Sequence, residues 1–408
     1  MIDDRARAIR DYFLDTSGRA EPTAPNPLFA GRDTEIDSIL HYASKLDRSD
    51  TPLANMTALL YGAPGAGKSE ILVQLREALT ISASENPVVL LAGGAELLTE
   101  AAAVSTAIYE AAPAPLRNAL RHGGWSIDRL SMNVGPVGVV ASPKEAPAPV
   151  SEVTKLRKIA RDLKDAGGGL APTVIFLIDE AQAELAEAQE RPDRFVRALH
   201  KGETGLKTLT IYGGLGNTEV ELGKCGVTRP GDHMMFLLER LEDKHVVDTA
   251  RRALSVTTAQ LPKAVDEWAT EIVDYAQGWP MHLSHALRAV AERAHSRGWT
   301  MDAAGFASAM RNATHRRDAY YNARLRAGGG TLDPDQYAPW AEMFKDHDRV
   351  HEGTVGDALG LSRAKAREVT ARAVRAGLIE PYGPWYVSPI PSLIDHIEGL
   401  GREMNRKR

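Results

Sequence analysis

Residues 62–69 read Gly-Ala-Pro-Gly-Ala-Gly-Lys-Ser, an unbroken match to G-x-x-x-x-G-K-[ST]. These types at this spacing suit the grip of a polyphosphate. Gly62, Gly65 and Gly67 let backbone N–H groups close around an anion, where a Cβ would block the approach or forbid the required φ. Ala63, Pro64 and Ala66 complete the loop. Lys68 would reach the β- and γ-phosphates, and the Ser69 hydroxyl would complete a Mg²⁺ shell. A second group of chemically competent residues is the pair Asp179-Glu180. Asp179 would hold Mg²⁺ through water, and Glu180 would polarise the attacking water as general base. Two solvated acids capping a strand is the other reading of that pair taken alone.

Two further positions are open to two readings. Asn217, with Thr218 next, could sit between water and γ-phosphate, or serve a turn that uses Asn and Gly for their permissive φ. Arg229 could project to a neighbouring subunit as an arginine finger, or be a solvated loop residue. His282 and His285 lie three apart, but no acid or cysteine stands at supporting spacing. They read as ordinary helix-face histidines, as do His347 and His351.

Elements must position these groups. Thr57–Tyr61 reads as a short buried strand leading into the glycine loop. The helix from about Ser69 to Leu79 points its positive end at the phosphates and repeats Ile71, Leu72, Leu75 and Leu79 at helical spacing. Val174–Ile178 is an apolar run rich in β-branched residues, expected buried on both faces of a parallel sheet, with the two acids at its C-terminal edge. Val88–Leu91 and Lys207–Tyr212 are further strands. Alanine-rich helices are expected across 95–121 and another over 151–165. A hairpin is expected over 126–140, turning at Gly135-Pro136, followed by a proline-rich loop over 141–150.

Four segments follow. Residues 1–26 read as a loosely attached arm, 27–232 as an α/β core, 233–327 as a helical lid and 336–408 as a winged helix-turn-helix after a linker at Gly328-Gly329-Gly330. The lid begins with the apolar run Met234–Leu238, continues in helices near 244–254, 264–277, 281–297 and 301–314, and is broken at Gly278-Trp279-Pro280. In the last segment Gly360 is a turn and Ser362 caps a second helix running to Ala376, with a wing at Tyr382–Val387. That helix carries Arg363, Lys365, Arg367, Arg372 and Arg375 against one acid, Glu368. Its N-terminal basic residues could enter a major groove; a solvated basic face on a protein-docking module is the alternative.

The chain has 408 residues, 43% hydrophobic and 25% charged, as in globular proteins, and a net charge of −5. That charge excludes a polycation coating nucleic acid, so any contact with DNA must come from a local patch. No apolar run could span a bilayer, so no membrane partner is expected. The single cysteine, Cys225, excludes an intrachain disulfide. With an N-terminal stretch unlike a signal peptide, these features point to the cytoplasm.

Over about residues 27–390 the chain resembles the AAA+ ATPases, and within them the Orc1/Cdc6-like initiators. Gly62–Ser69 matches Walker A and Asp179-Glu180 matches Walker B. Leu28–Glu35 is similar to the family's entry motif beside adenine, and Gly214–Thr218 to its sensor-1 segment, which favours Asn217. Thr228-Arg229 falls where such proteins carry the arginine finger. The resemblance implies a P-loop parallel-sheet core with a helical lid, ATP and Mg²⁺ as cofactors, slow hydrolysis, double-stranded DNA at the winged helix and a possible homo-oligomer. One stretch departs from it. Gly278-Trp279-Pro280 stands where initiators place a sensor arginine and resembles the Gly-x-Pro motif of STAND signalling ATPases. Those pair Pro280 with the nucleotide and use the winged helix as a docking module for protein.

Overall fold

The computed structural model describes residues 4–15, 25–48, 55–81, 88–122, 151–169, 172–188, 195–227, 234–256, 258–259, 262–326, 330–347, 349–382 and 384–407. Arg229, the hairpin expected over 126–140 and the loop expected over 141–150 lie outside these residues, as do Gly328 and Gly329 of the linker.

After an N-terminal helix α1 (Asp4–Asp15) and α2 (Asp33–Arg48), the core runs β1 (Asn55–Tyr61), α3 (Lys68–Ile81), β2 (Val88–Gly93), α4 (Glu96–Thr99), α5 (Ala101–Ala111), α6 (Ala114–His122), α7 (Glu152–Ala166), β3 (Thr173–Ile178), α8 (Ala181–Ala188), α9 (Phe195–His200), β4 (Lys207–Gly214), α10 (Thr218–Lys224) and β5 (Met235–Leu237). The five strands form one sheet in the order β2-β3-β4-β1-β5, with every pairing parallel. Met235–Leu237, which the sequence places at the start of the lid, pair with Leu59–Tyr61 and close the sheet's edge.

Alternation along the strands splits the interior in two. Ala58, Leu60, Ile175, Leu177, Leu209 and Ile211 face α2 and α3. Leu59, Val174, Phe176, Ile178 and Tyr212 face the layer from α4 to α10. A strand covered on both faces has no polar side to show, which is why 174–178 reads as a continuous apolar run. Each such Leu or Ile contributes roughly 1.5–3 kcal/mol on burial. Because β4 lies between β1 and β3, its exit at residues 215–217 falls between the glycine loop after β1 and the acids after β3.

The lid comprises α11 (Asp243–Ser255), β6 (Thr258–Ala259), α12 (Pro262–Ala276), α13 (Pro280–His295), β7 (Thr300–Met301) and the long α14 (Ala303–Arg326). Of the arm expected to be loose, the helix Asp4–Asp15 packs here. Ile9 and Phe13 of α1 join Val246, Leu254, Ile272 and Leu287 in one cluster, and the Arg10 guanidinium lies 4.6 Å over the Trp299 ring. Ile9 and Phe13 lie one helical turn apart and so share the face that docks.

The C-terminal part runs α15 (Tyr337–Asp346), β8 (Val350–His351), α16 (Glu352–Leu359), α17 (Arg363–Arg375), β9 (Glu380–Tyr382), β10 (Trp385–Val387) and α18 (Leu393–Lys407). Gly360 turns the chain between α16 and α17 at φ +63°, and Ser362 caps α17 by accepting from the Lys365 N–H. The three strands are antiparallel in the order β8-β10-β9 and stand beside the two helices α16 and α17 that Gly360 joins. Its apolar residues Trp340, Val369, Leu378 and Ile379 belong to the same cluster as Ala63, Ala66 and Leu72 around the glycine loop. No helix among the described residues is long and apolar enough to cross a membrane.

Candidate nucleotide site

The glycine loop leaves β1 at the C-terminal edge of the sheet. Gly62, Gly65 and Gly67 take φ values of +152°, +87° and +97°. Side chains rarely adopt these values, so the three glycines set the loop's path. The Gly62 N–H donates to the Gly214 carbonyl, 3.3 Å, tying the loop to the end of β4. From behind, the buried Arg32 guanidinium donates to the carbonyls of Ala66 and Glu239. A loop of small residues opening onto the first turn of α3 is a cradle for a phosphate chain. Ala63, Pro64 and Ala66 are buried within it, and Ser69 stands half-buried at the start of α3. Lys68 is also buried. Its Nζ donates to the carbonyls of Gly62, 2.8 Å, and Ala63, 3.1 Å, so it is folded onto its own loop and must leave those carbonyls to meet an anion. Burial lowers its pKa to about 8, opposed by the charges of Glu180, Asp179 and Glu380 and helped by that of Arg324.

Across β4 stand Asp179 and Glu180. The Glu180 N–H donates to Asp179 Oδ1, 2.9 Å, and Glu180 takes φ +48°, an uncommon value for a residue with a side chain. This kink turns the carboxylate out of line with the strand. Glu180 Oε2 accepts from Gln182 Nε2 at 2.7 Å, and Gln182 Oε1 accepts from the Leu215 N–H at 3.0 Å. Asn217 begins α10 with its Oδ1 buried and unpartnered, as expected of a group waiting for a ligand or water. Thr218, the runner-up at this strand end, is buried and donates its hydroxyl to the Leu215 carbonyl, 2.6 Å. Its role is to hold the turn. The oxygens of Ser69 and Asp179 are hard donors of the kind Mg²⁺ takes.

Two other parts of the chain press on this loop. At the lid's entry, Gly278 has φ +74°, and a Cβ there would lie 2.6 Å from the Leu241 carbonyl oxygen. The turn it permits seats Pro280 at the first position of α13, beside Gly67, and the Met281 N–H donates to the Gly65 carbonyl, 3.2 Å. Trp279 is buried against Gly65. From the C-terminal domain, Gly377 packs directly on Pro64: a Cβ at Gly377 would fall 2.2 Å from Pro64 Cγ. Glu380 and Pro381 of β9 cover Gly216. Glu380 is buried with Oε1 unpartnered, and burial pushes its carboxyl up to about 7, the Lys68 charge working the other way.

Sequence reasoning missed Gln182, Glu380 and Gly377. Gln182 follows the acids by two residues, and the first turn of a helix after a strand could have flagged it. Glu380 and Gly377 lie some three hundred residues from the loop, and only domain docking brings them to it.

The basic helix lies elsewhere. Arg363, Lys365 and Arg367 are exposed on α17, but Arg367 Nε donates to Glu352 Oε1 at 2.6 Å, and Arg372 pairs with Glu368. His282 is buried and bonded to the Tyr321 hydroxyl, 2.7 Å. Burial lowers its pKa to about 3 and that of His285 to about 4, and no group of metal-binding side chains forms among the described residues.

No protein-family model and no curated protein matches the sequence. Solved structures do match. A Walker-type ATPase of Pyrococcus abyssi superposes with a TM-score of 0.55 at 13% identity, over 95% of this chain and 99% of that one. The ORC2 protein of Aeropyrum pernix in its ADP form gives 0.54 at 12% identity, over 97% and 98%. The same protein in its ADPNP–ADP complexes gives 0.50 at 12%, over 97% and 98%. The chain thus shares, over almost its whole length, the fold of a Walker-type ATPase and of an ORC protein.

Proposed function

We propose that the chain is an ATP- and Mg²⁺-binding AAA+ ATPase that works as a slow, nucleotide-controlled switch and associates with duplex DNA through its winged helix. One observation carries the switch: the C-terminal domain rests on the phosphate loop, Gly377 on Pro64 and Glu380 over Gly216. What enters the loop and where that domain sits are therefore linked.

The residues divide the work. N–H groups of the loop from Gly65 to Ser69 bind the phosphates, and Lys68 exchanges the carbonyls of Gly62 and Ala63 for phosphate oxygens. Ser69 and Asp179 would hold Mg²⁺, which when bound draws charge off the phosphoryl oxygens. Glu180 accepts the proton of the attacking water as the bond between γ-phosphorus and its bridging oxygen breaks, leaving ADP and phosphate. Asn217 orients that water. Pro280 and Trp279 close the lid side. Arg229 would complete a neighbour's site in a homo-oligomer.

The DNA partner rests on the exposed Arg363 and Lys365 near the start of α17, with Arg367 beside them partly committed to Glu352. A second reading, a STAND-like signalling ATPase whose winged helix docks protein, draws on Pro280 at the loop and on the seated C-terminal domain. Fluorescence anisotropy with a labelled duplex at one fixed, low salt concentration separates them. Tight binding that differs between ADP and a non-hydrolysable ATP analogue is expected; R363E/K365E should weaken it there and, in a separate salt series, lower the slope of log K against log salt by about 2. Absence of binding in both states would overturn the DNA partner and favour the signalling reading.

A further inference from the structure

We propose that Gln182 is the positioning residue of Glu180, tying the general-base carboxylate to the exit of β4. The inference rests on the reading of Glu180 as the general base. Its side-chain amide is used at both ends: Nε2 donates to Glu180 Oε2, 2.7 Å, and Oε1 accepts from the Leu215 N–H, 3.0 Å. That polarity is fixed, because a carboxylate can only accept and a backbone N–H can only donate.

The surroundings leave the bridge little freedom. A Cβ at Gly214 would lie 2.9 Å from Gln182 Oε1 and 2.1 Å from Thr218 Oγ1, so β4 passes as close to the amide as a backbone can. Glu180 itself is in an uncommon backbone conformation, and the hydrogen bonds to its N–H and carboxylate hold it there. An exposed carboxylate with free rotation would spend most of its time away from one productive orientation. A charge-assisted bond to a half-buried amide restricts it. The loop that carries the other end, residues 215–217, also carries Asn217 and lies under Glu380 and Pro381. Gln182 therefore sets the general base and the water-orienting residue in one frame.

Two variants separate the ends of the bridge. Q182E keeps the acceptor for Leu215 but loses the donor to Glu180 and sets two carboxylates together. Q182M keeps the length and loses both bonds. Turnover is expected to fall on the order of 10- to 100-fold in both, through kcat, with the affinity for a fluorescent nucleotide within about twofold of wild type. Without nucleotide, hydrogen exchange in the peptide holding the Leu215 amide is expected to quicken in Q182M and to stay at the wild-type rate in Q182E. Wild-type kcat in Q182M, or wild-type exchange of Leu215 in Q182M, would overturn the inference. E180Q is the control: if it turns over normally, the general-base reading fails and takes this one with it. If E180Q is inactive and Q182M is not, only the role of Gln182 fails.

Discussion

Lys68 and Glu380 are two opposite charges taken out of water at the same place, and the cost of that burial shapes both. Lys68 is lowered to about 8 and Glu380 raised to about 7 because desolvation outweighs their mutual attraction. For Glu380 the folded chain holds its proton more tightly than the unfolded chain, whose carboxyl titrates near 4.5. The stability this confers is complete below 4.5 and is lost as pH rises through 7. Glu380→Gln, which keeps the shape and removes the titration, is therefore expected to melt close to wild type at pH 4.5. At pH 8 it should be more stable than wild type by about 2–3 kcal/mol. Melting curves of both proteins across pH 4.5–8 check this, and a constant difference would contradict it. Lys68, lowered to about 8, begins to lose its charge at the top of this window in both proteins. His282 and His285 contribute equally to both proteins.

At the scale of elements, the loops are held by close approaches between backbones. Gly377, at φ +70°, is buried on Pro64 with no room for a Cβ. Gly377→Ala is expected to cost about 1–3 kcal/mol through strain at positive φ and displacement of the C-terminal domain. It should also quicken association of a fluorescent nucleotide, since the same contact covers the loop. Stopped-flow association rates and melting temperatures measure both; wild-type values in each would show that the contact is not a constraint. The strands, the phosphate loop, the acid pair and the capped α17 were legible because each is a local pattern: a buried run, a glycine spacing, a serine before a helix. The path of Lys68 was not, since its type gives its reach but not the carbonyls it meets before a ligand arrives. Nor was β5, whose three residues are too few to show a period and are defined by pairing with β1. Glu380 and Gly377 were beyond reach for a different reason, because nothing local marks the residues that one domain lays on another.

On the scale of the whole molecule, core, lid and C-terminal domain meet around the glycine loop. The lid reaches the loop at Gly65 through Met281, the C-terminal domain at Pro64 through Gly377, and the Tyr321 hydroxyl joins lid to C-terminal domain by donating to the Pro391 carbonyl, 2.7 Å. A ligand in the loop meets both neighbours, and an equilibrium between seated and released states shifts only by the difference in its affinity for the two. The seated state buries a carboxyl, Glu380, within electrostatic range of Lys68, the group that a γ-phosphate would need on the proposed reading. ATP should therefore favour release more than ADP does.

The distance between the core and the C-terminal domain tests this most directly. Dyes on cysteines placed at the exposed positions Glu77 of α3 and Asp357 of α16 would report it by energy transfer, the native Cys225 being buried. With ADP the transfer expected is that of the seated structure. With Mg²⁺ and a non-hydrolysable ATP analogue it should fall, and with Lys68→Ala the analogue should leave it unchanged. Equal transfer in both nucleotide states of the wild-type protein, at saturating nucleotide, would contradict a switch built on this contact.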